Sequence, residues 1–340
     1  MFGTTLTVEM THILFQGFIC FILAMAFTPI YTHFAFKYKV WKKIRTDAMT
    51  GEKAPVYYKL HAAKHKRNIP TMAGIVGVVA VTITMLTLNW SRSQTYLPVF
   101  GLVAAGGVGL LDDFINIRGN SGIAGIRGSL KMALILAVAL TGALYFFFRL
   151  GYSQIHVPAV GNFEIGWLYI PLFVLVVVST ANAVNIADGL DGLAGGLLST
   201  CFGAYSVIAF AQGNYGIAGF CLAMVGAVLA YTWFNIFPAR FFMGDTGSFA
   251  FGTALGVVAM LTNSVFILPV IAAVFVIEAG SSLVQIFSKR VFKRKIFLSA
   301  PLHHHLEAIG WPETKVTMRL WVIGAVSAVL GMLLGLITRG

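Results

Sequence analysis

Residues 168–196 read LYIPLFVLVVVSTANAVNIADGLDGLAGG. Leu168 to Ile186 carry no Asp, Glu, Lys or Arg, and as a helix rising 1.5 Å per residue they nearly span the ~30 Å hydrocarbon core of a bilayer. Directly afterwards the chain turns acidic and rich in glycine. An apolar helix ending on such a string sets the expectation for the whole chain, which is membrane spans whose ends carry the chemistry.

Working outward, further apolar runs of comparable length fall at Ile13 to Phe34, Thr71 to Trp90, Leu97 to Leu111, Leu130 to Phe148, Leu190 to Ala211, Tyr215 to Ile236, Gly247 to Leu261, Val265 to Phe287 and Val316 to Ile337. The reading is an all-α integral membrane protein of about ten transmembrane helices, forming a single polytopic domain over residues 1–340. Composition agrees: the chain is 58% hydrophobic and 11% charged, with mean hydropathy +0.84, whereas soluble domains are about 25% charged. Soluble, secreted, disordered and fibrous classes are excluded. The 36 glycines suit close helix packing in lipid. Cys20, Cys201 and Cys221 sit in apolar runs without metal-ligand spacing and read as buried, inert thiols. The first twelve residues hold no Lys or Arg, so the first span is expected to remain in the mature chain.

A formal charge of +12 would suggest nucleic acid on a soluble protein; here it reports topology, and no nucleic-acid partner is expected. The loop Ala35 to Pro70 holds ten Lys or Arg, and Lys289, Arg290, Lys293, Arg294, Lys295 and Lys315 follow the ninth run. With Arg118, Arg127, Lys131, Arg240 and Arg319 they place 21 of the 24 basic residues on one side. By the positive-inside rule that side is cytoplasmic, and an even number of spans puts both termini on the periplasmic side. Tyr152 to Gly166, on the outer side, reads as a possible short hairpin.

Nine of the twelve carboxylates lie on the cytoplasmic side or at its helix ends. Asp112 and Asp113 close the third run in GLLDDF (109–114). Neighbours on a helix point about 100° apart, so one is expected to face the bundle and the other the loop, not to act as one dyad. Asn182, Asn185, Asp188 and Asp191 recur every third residue and would line one polar stripe of a helix or tight turn, whose oxygens suit a hard cation such as Mg²⁺ or a polar ligand. In FFMGDTGS (241–248), Asp245 precedes an apolar run. A helix start there offers free N–H groups to an anion, and its carboxylate could hold a phosphate-bridging metal, although simple N-capping competes with that reading.

APLHHHLEAIGW (300–311) holds three consecutive histidines, a poor pattern for tetrahedral zinc but suited to donating to phosphate oxygens. Lys64, Lys66, Arg67, Arg127 and Lys131 are candidate phosphate-facing cations. SKRVFKRKIFL (288–298) has the pattern of an interfacial amphipathic helix attracted to membrane lipid. Glu278, inside the ninth run, reads either as a packing or hydrogen-bonding residue near a cavity floor or as a proton-transfer group.

Together GLLDDF, NAVNIADGLDGLAGG and FMGDTGS resemble, in order, the cytoplasmic motifs of the polyprenyl-phosphate N-acetylhexosamine-1-phosphate transferases, and the likeness runs from about Pro70 to Trp321. The tail APLHHHLEAIGW followed by PETKVTMRLW resembles the branch whose donor is UDP-N-acetylmuramoyl-pentapeptide. That resemblance implies an enzyme of the bacterial inner membrane, requiring Mg²⁺ and forming a homodimer. It implies transfer of phospho-N-acetylmuramoyl-pentapeptide to undecaprenyl phosphate, giving lipid I and UMP. It further implies Asp112, Asp113, Asp245 and His304 as catalytic residues, with Asp245 the metal ligand. Asn185, Asp188 and Asp191 would face the nucleotide sugar, Lys66, Thr71, Phe242 and Gln285 would hold the uridine end, and Lys131 and His305 would contact substrate. Two other readings stand beside it: a related transferase using UDP-GlcNAc, and a secondary transporter with Asp188, Asp191 and Glu278 as an ion relay.

Overall fold

The computed structural model describes residues 2–41, 68–90, 95–118 and 125–338. The long helices are α1 (Phe2–Lys37), α2 (Gly74–Leu88), α3 (Tyr96–Arg118), α4 (Gly128–Leu144, continued by a π-turn at Tyr145–Arg149), α5 (Tyr169–Ala187), α6 (Leu193–Ala211), α7 (Tyr215–Asn235) and α8 (Gly244–Leu261). They are followed by α9 (Ala273–Val291), the short α10 (Leu302–Ala308) and α11 (Glu313–Ile337). Between α4 and α5 the expected hairpin forms: β1 (Gln154–Val157) pairs antiparallel with β2 (Gly161–Glu164), Ile155 opposite Phe163.

Among the described residues eight helices are long and apolar enough to cross a membrane. The other two apolar runs form helices that fall short of that measure. The second, α2, is a shorter apolar helix of 15 residues. The ninth is broken: one helical turn at Leu268–Ile271 precedes α9, which begins at Ala273 and extends four residues beyond the expected end. α9 also carries Glu278, Ser281, Gln285 and Ser288 on one face, all buried, which dilutes its apolar character.

The bundle is built around α8, seventeen of whose eighteen residues are buried. Its sequence is mostly Gly, Ala, Ser and Thr in the first three turns, which lets α2, α3 and α5 pack against it closely. At Gly109 the approach is tight enough to require glycine. A Cβ there would press into the Asp245 carbonyl group and lie 2.6 Å from the Thr246 nitrogen. This contact brings Asp112 and Asp113, about one turn further along α3, beside the start of α8.

Two expectations about helix ends are corrected here. α3 does not stop at the acidic pair but runs to Arg118, so both aspartates lie within a helix, and both are buried, at 1% and 0% exposure. They still point apart as expected: Asp112 takes the Ile126 N–H of the 125–127 loop, while Asp113 faces Thr246 at the start of α8 inside the bundle. The basic segment 288–298 is not a continuous amphipathic helix either. α9 ends at Val291, Lys293 takes φ +54°, and Ser288 Oγ donates to the Arg294 carbonyl, folding the chain back.

Candidate active site

The ends of α3, α5, α7 and α9 meet the starts of α4, α6, α8 and α11 at one end of the bundle, and the acidic residues collect there. Oxygens of Asp112, Asp113 and Asp245 all lie within 4.8 Å of one another. Three carboxylates so close repel strongly unless a cation intervenes. Lys131, in the first turn of α4, supplies one. Its Nζ donates to Asp112 Oδ2 at 2.8 Å and to Asp245 Oδ2 at 2.7 Å. Asp112 also accepts from the Ile126 backbone N–H at 2.7 Å and from Asn116 Nδ2 at 3.1 Å.

Asp113 is held differently. Its Oδ2 accepts from the backbone N–H and the hydroxyl of Thr246, at 3.0 and 2.9 Å, in the first turn of α8. A carboxylate at a helix N-terminus is favoured by the unsatisfied N–H groups and the dipole there. The two aspartates therefore share one cluster but take different partners. An all-oxygen donor set of this spacing fits a hard divalent cation such as Mg²⁺, with Lys131 competing for two of the three carboxylates.

The polar stripe read from Asn182 to Asp191 does not stay in one line, because α5 ends at Ala187 and residues 188–192 form a turn. Asn182 bonds back to the Val178 carbonyl of its own helix. Asn185 reaches α8, donating to Ser248 Oγ at 2.8 Å. Asp188 is half-buried at the end of α5, whereas Asp191 is 2% exposed and its Oδ2 accepts from the Ala239 N–H at 2.9 Å. The turn is pinned further by Glu313 on the Asp191 N–H, Asn235 on the Gly192 N–H and Trp321 on the Gly192 carbonyl.

Thr71 and Phe242 lie on facing segments joined by backbone bonds, Phe242 N–H to the Pro70 carbonyl and Ala73 N–H to the Phe242 carbonyl. Thr71 is buried, and its side chain lies with the Asp113 carboxylate around Gly244. Lys66, with Lys64 and Arg67, falls outside the described residues. Arg127 is exposed at the N-cap of α4.

The histidine loop is built on α9. Gln285 Oε1 accepts from the N–H groups of Ile296 and Phe297 while its Nε2 donates to the Phe297 carbonyl. Ser281 Oγ accepts from Leu302 N–H, and Glu278 Oε2 accepts from His303 Nδ1 at 2.8 Å. On α10, His304 Nδ1 pairs with Glu307 at 2.8 Å, and His305 Nδ1 accepts from the Leu298 N–H. Positions 278, 281, 285 and 288 repeat at helical spacing, and that signal in EAGSSLVQIFS would have revealed Ser281 and Ser288. Asn116, four residues after Asp112, was findable in the same way. Thr246 and Glu313 act through tertiary contacts that no local pattern announces.

Residues 95–263, which hold both the carboxylate cluster and the 188–192 turn, match the model of glycosyl transferase family 4. The chain is 37% identical over 321 residues to a phospho-N-acetylmuramoyl-pentapeptide-transferase of Geobacillus sp. (strain WCH70), covering 92% of this chain and 94% of the relative. It is 38% identical over 328 residues to the protein of that name from Anoxybacillus flavithermus, covering 94% and 97%. The one from Bacillus cereus (strain AH187) is 36% identical over 327 residues, covering 93% and 96%. Identity at this level along nearly the whole length establishes that the chain belongs to the phospho-N-acetylmuramoyl-pentapeptide-transferase family.

Proposed function

We propose that this protein transfers phospho-N-acetylmuramoyl-pentapeptide from its UDP-linked donor to undecaprenyl phosphate, giving lipid I and releasing UMP for peptidoglycan synthesis. The observation that carries the reading is the cluster of Asp112, Asp113 and Asp245 with Lys131 between two of them. Family membership names the reaction class, and the cluster supplies what that reaction needs. A lipid phosphate approaching a pyrophosphate sets anion against anion, so positioning and charge neutralisation must supply most of the catalysis.

Mg²⁺ bound by Asp245, with Asp112 and Asp113 completing the donor set, would neutralise phosphate charge when present. Lys131, held between Asp112 and Asp245, is placed to offer its ammonium to phosphate oxygens. A phosphate monoester has a second pKa near ~6 and is largely dianionic at neutral pH, so attack is direct and in line, with Asp112 orienting the lipid phosphate or taking its residual proton. Asp113, fixed by Thr246, holds charge in place at the start of α8. Asn185, Asp188 and the turn pinned by Asp191 face the nucleotide sugar. Lys66, Thr71 and Phe242 hold the uridine end, and Gln285 contributes through the 296–297 backbone it clamps. His304 acts on the reacting phosphates and His305 contacts the donor.

In this reading α2 and α9 complete ten spans, both termini are periplasmic, and the carboxylate end faces the cytoplasm of a bacterial inner membrane. The loop charges support that orientation. The enzyme works as a homodimer. The test is UMP release by purified protein with undecaprenyl phosphate and Mg²⁺, offered UDP-N-acetylmuramoyl-pentapeptide or UDP-GlcNAc. Turnover of the muramoyl donor alone is expected; turnover of UDP-GlcNAc alone would move the protein to the related branch.

A further inference from the structure

Glu278 is fully buried, at 0% exposure, in α9, and a carboxylate is retained in such a place only with a partner. Its Oε2 accepts both from His303 Nδ1 at 2.8 Å and from the His303 backbone N–H at 3.3 Å. One turn along, Ser281 takes the Leu302 N–H at 2.9 Å. These two N–H groups open α10, and first-turn donors have no partner within their own helix. A helix of seven residues is too short to persist by itself. α10 therefore exists because α9 caps it.

The His303 Nε2 is buried with no hydrogen-bond partner among the described residues, and it lies against Gly189. A Cβ at Gly189 would fall against Nε2 and lie 3.0 Å from Cε1. His303 thus fills the space between α9 and the 188–192 turn, with its ring 4.1 Å from that of His304.

We propose that Glu278 and His303 are positioning residues, a buried brace that seats the helix bearing His304 and His305 against Gly189 of the acidic turn. Neither touches substrate; they fix the distance between the histidines and the Asp188–Asp191 wall. The catalytic consequence rests on the phosphotransfer reading above, and the structural one does not.

Two readouts keep these separate. Hydrogen–deuterium exchange of residues 296–308 in the purified, substrate-free protein is expected to speed up in Glu278→Leu and Gly189→Ala. It should stay at the wild-type rate in Glu278→Gln, whose amide oxygen can still accept both N–H groups. In the UMP-release assay, Glu278→Leu should lower kcat by about 10- to 100-fold with KM for the donor within about 3-fold, as displacement of a group by ~1 Å does. Glu278→Gln should restore most of the rate. Gly189→Ala should lose activity in the wild-type background but add no further loss to His303→Ala, where the Cβ finds the vacated space. Losses that add in the double variant, Glu278→Gln as damaging as Glu278→Leu, or unchanged exchange in Glu278→Leu would each overturn the brace. A wild-type protein inactive on the muramoyl donor would overturn the functional reading and leave the exchange result to decide the brace.

Discussion

Substituting Gly109 by alanine tests whether the contact between α3 and α8 sets the geometry of the carboxylate cluster. The added Cβ would meet the Asp245 carbonyl group and stand 2.6 Å from the Thr246 nitrogen. Both are backbone atoms of the turn that carries Asp245 and holds Asp113. Restoring an ordinary contact requires the helices to separate by about 1 Å, because packed interiors have no slack to absorb a methyl group. Overpacking of this kind costs about 1–3 kcal/mol in stability. The larger effect falls on chemistry, where ~1 Å of misplacement costs about 100-fold. Gly107→Ala is the control, since a Cβ at Gly107 meets nothing within 4 Å on the same helix. The assay is UMP release at saturating donor and acceptor, with thermal unfolding in the same detergent. Gly109→Ala should lose about two orders of magnitude in kcat for a few degrees in melting temperature, and Gly107→Ala should lose neither. Near wild-type turnover in Gly109→Ala would refute the argument that this contact positions the site.

Three further outcomes follow from the same geometry. Lys131→Met leaves the three carboxylates without the cation between them; breaking a buried pair costs about 3–5 kcal/mol, and partial exposure of Lys131 and Asp245, at 19% and 14%, reduces this to about 2–3 kcal/mol. Melting in EDTA should therefore fall, and Mg²⁺ should raise the variant's melting temperature more than the wild type's; equal shifts would argue against a metal at the cluster. Asn235→Leu strands the Gly192 N–H and the Phe241 carbonyl that Asn235 now satisfies, a loss of about 2–4 kcal/mol, measurable as a lower unfolding midpoint in SDS titration. Thr246→Val keeps the backbone bond to Asp113 but removes the hydroxyl bond, so kcat should drop about 10-fold with less than ~1.5 kcal/mol lost in stability; loss of stability without loss of rate would mean that Asp113 needs no such fixing.

Much of this arrangement is legible from residues alone. Charge cannot sit cheaply in an apolar run, so Asp112, Asp188 and Asp245 announce themselves at run ends, and the glycine-rich string after Ile186 marks a turn. What local reading misses is direction. Helical spacing suggests that Asp112 and Asp113 point apart, and they do take different partners, but α4 arrives on one side and α8 on the other, burying both. Asp191 looks like a ligand residue in DGLDG, yet its carboxylate is used to cap the Ala239 N–H, a contact made across 48 positions of sequence. In α9 the apolar average hides a stripe in which one charge and three neutral polar groups act together. The helical spacing of Ser281, Gln285 and Ser288 is readable in the sequence, but what they bind is seen only where the loop at 294–302 folds back onto them.

Asp112, Asp113 and Asp245 are proposed to form one Mg²⁺-dependent phosphotransfer site. Its most direct test is UMP release from UDP-N-acetylmuramoyl-pentapeptide as a function of Mg²⁺ concentration, for the wild type and for Asp112→Asn, Asp113→Asn and Asp245→Asn. Activity should be absent in EDTA, restored by Mg²⁺ in the wild type, and reduced at least about 100-fold in each variant, with Asp245→Asn also needing more Mg²⁺. Wild-type turnover in EDTA, or an Asp245→Asn variant that matches the wild type at every Mg²⁺ concentration, would contradict it.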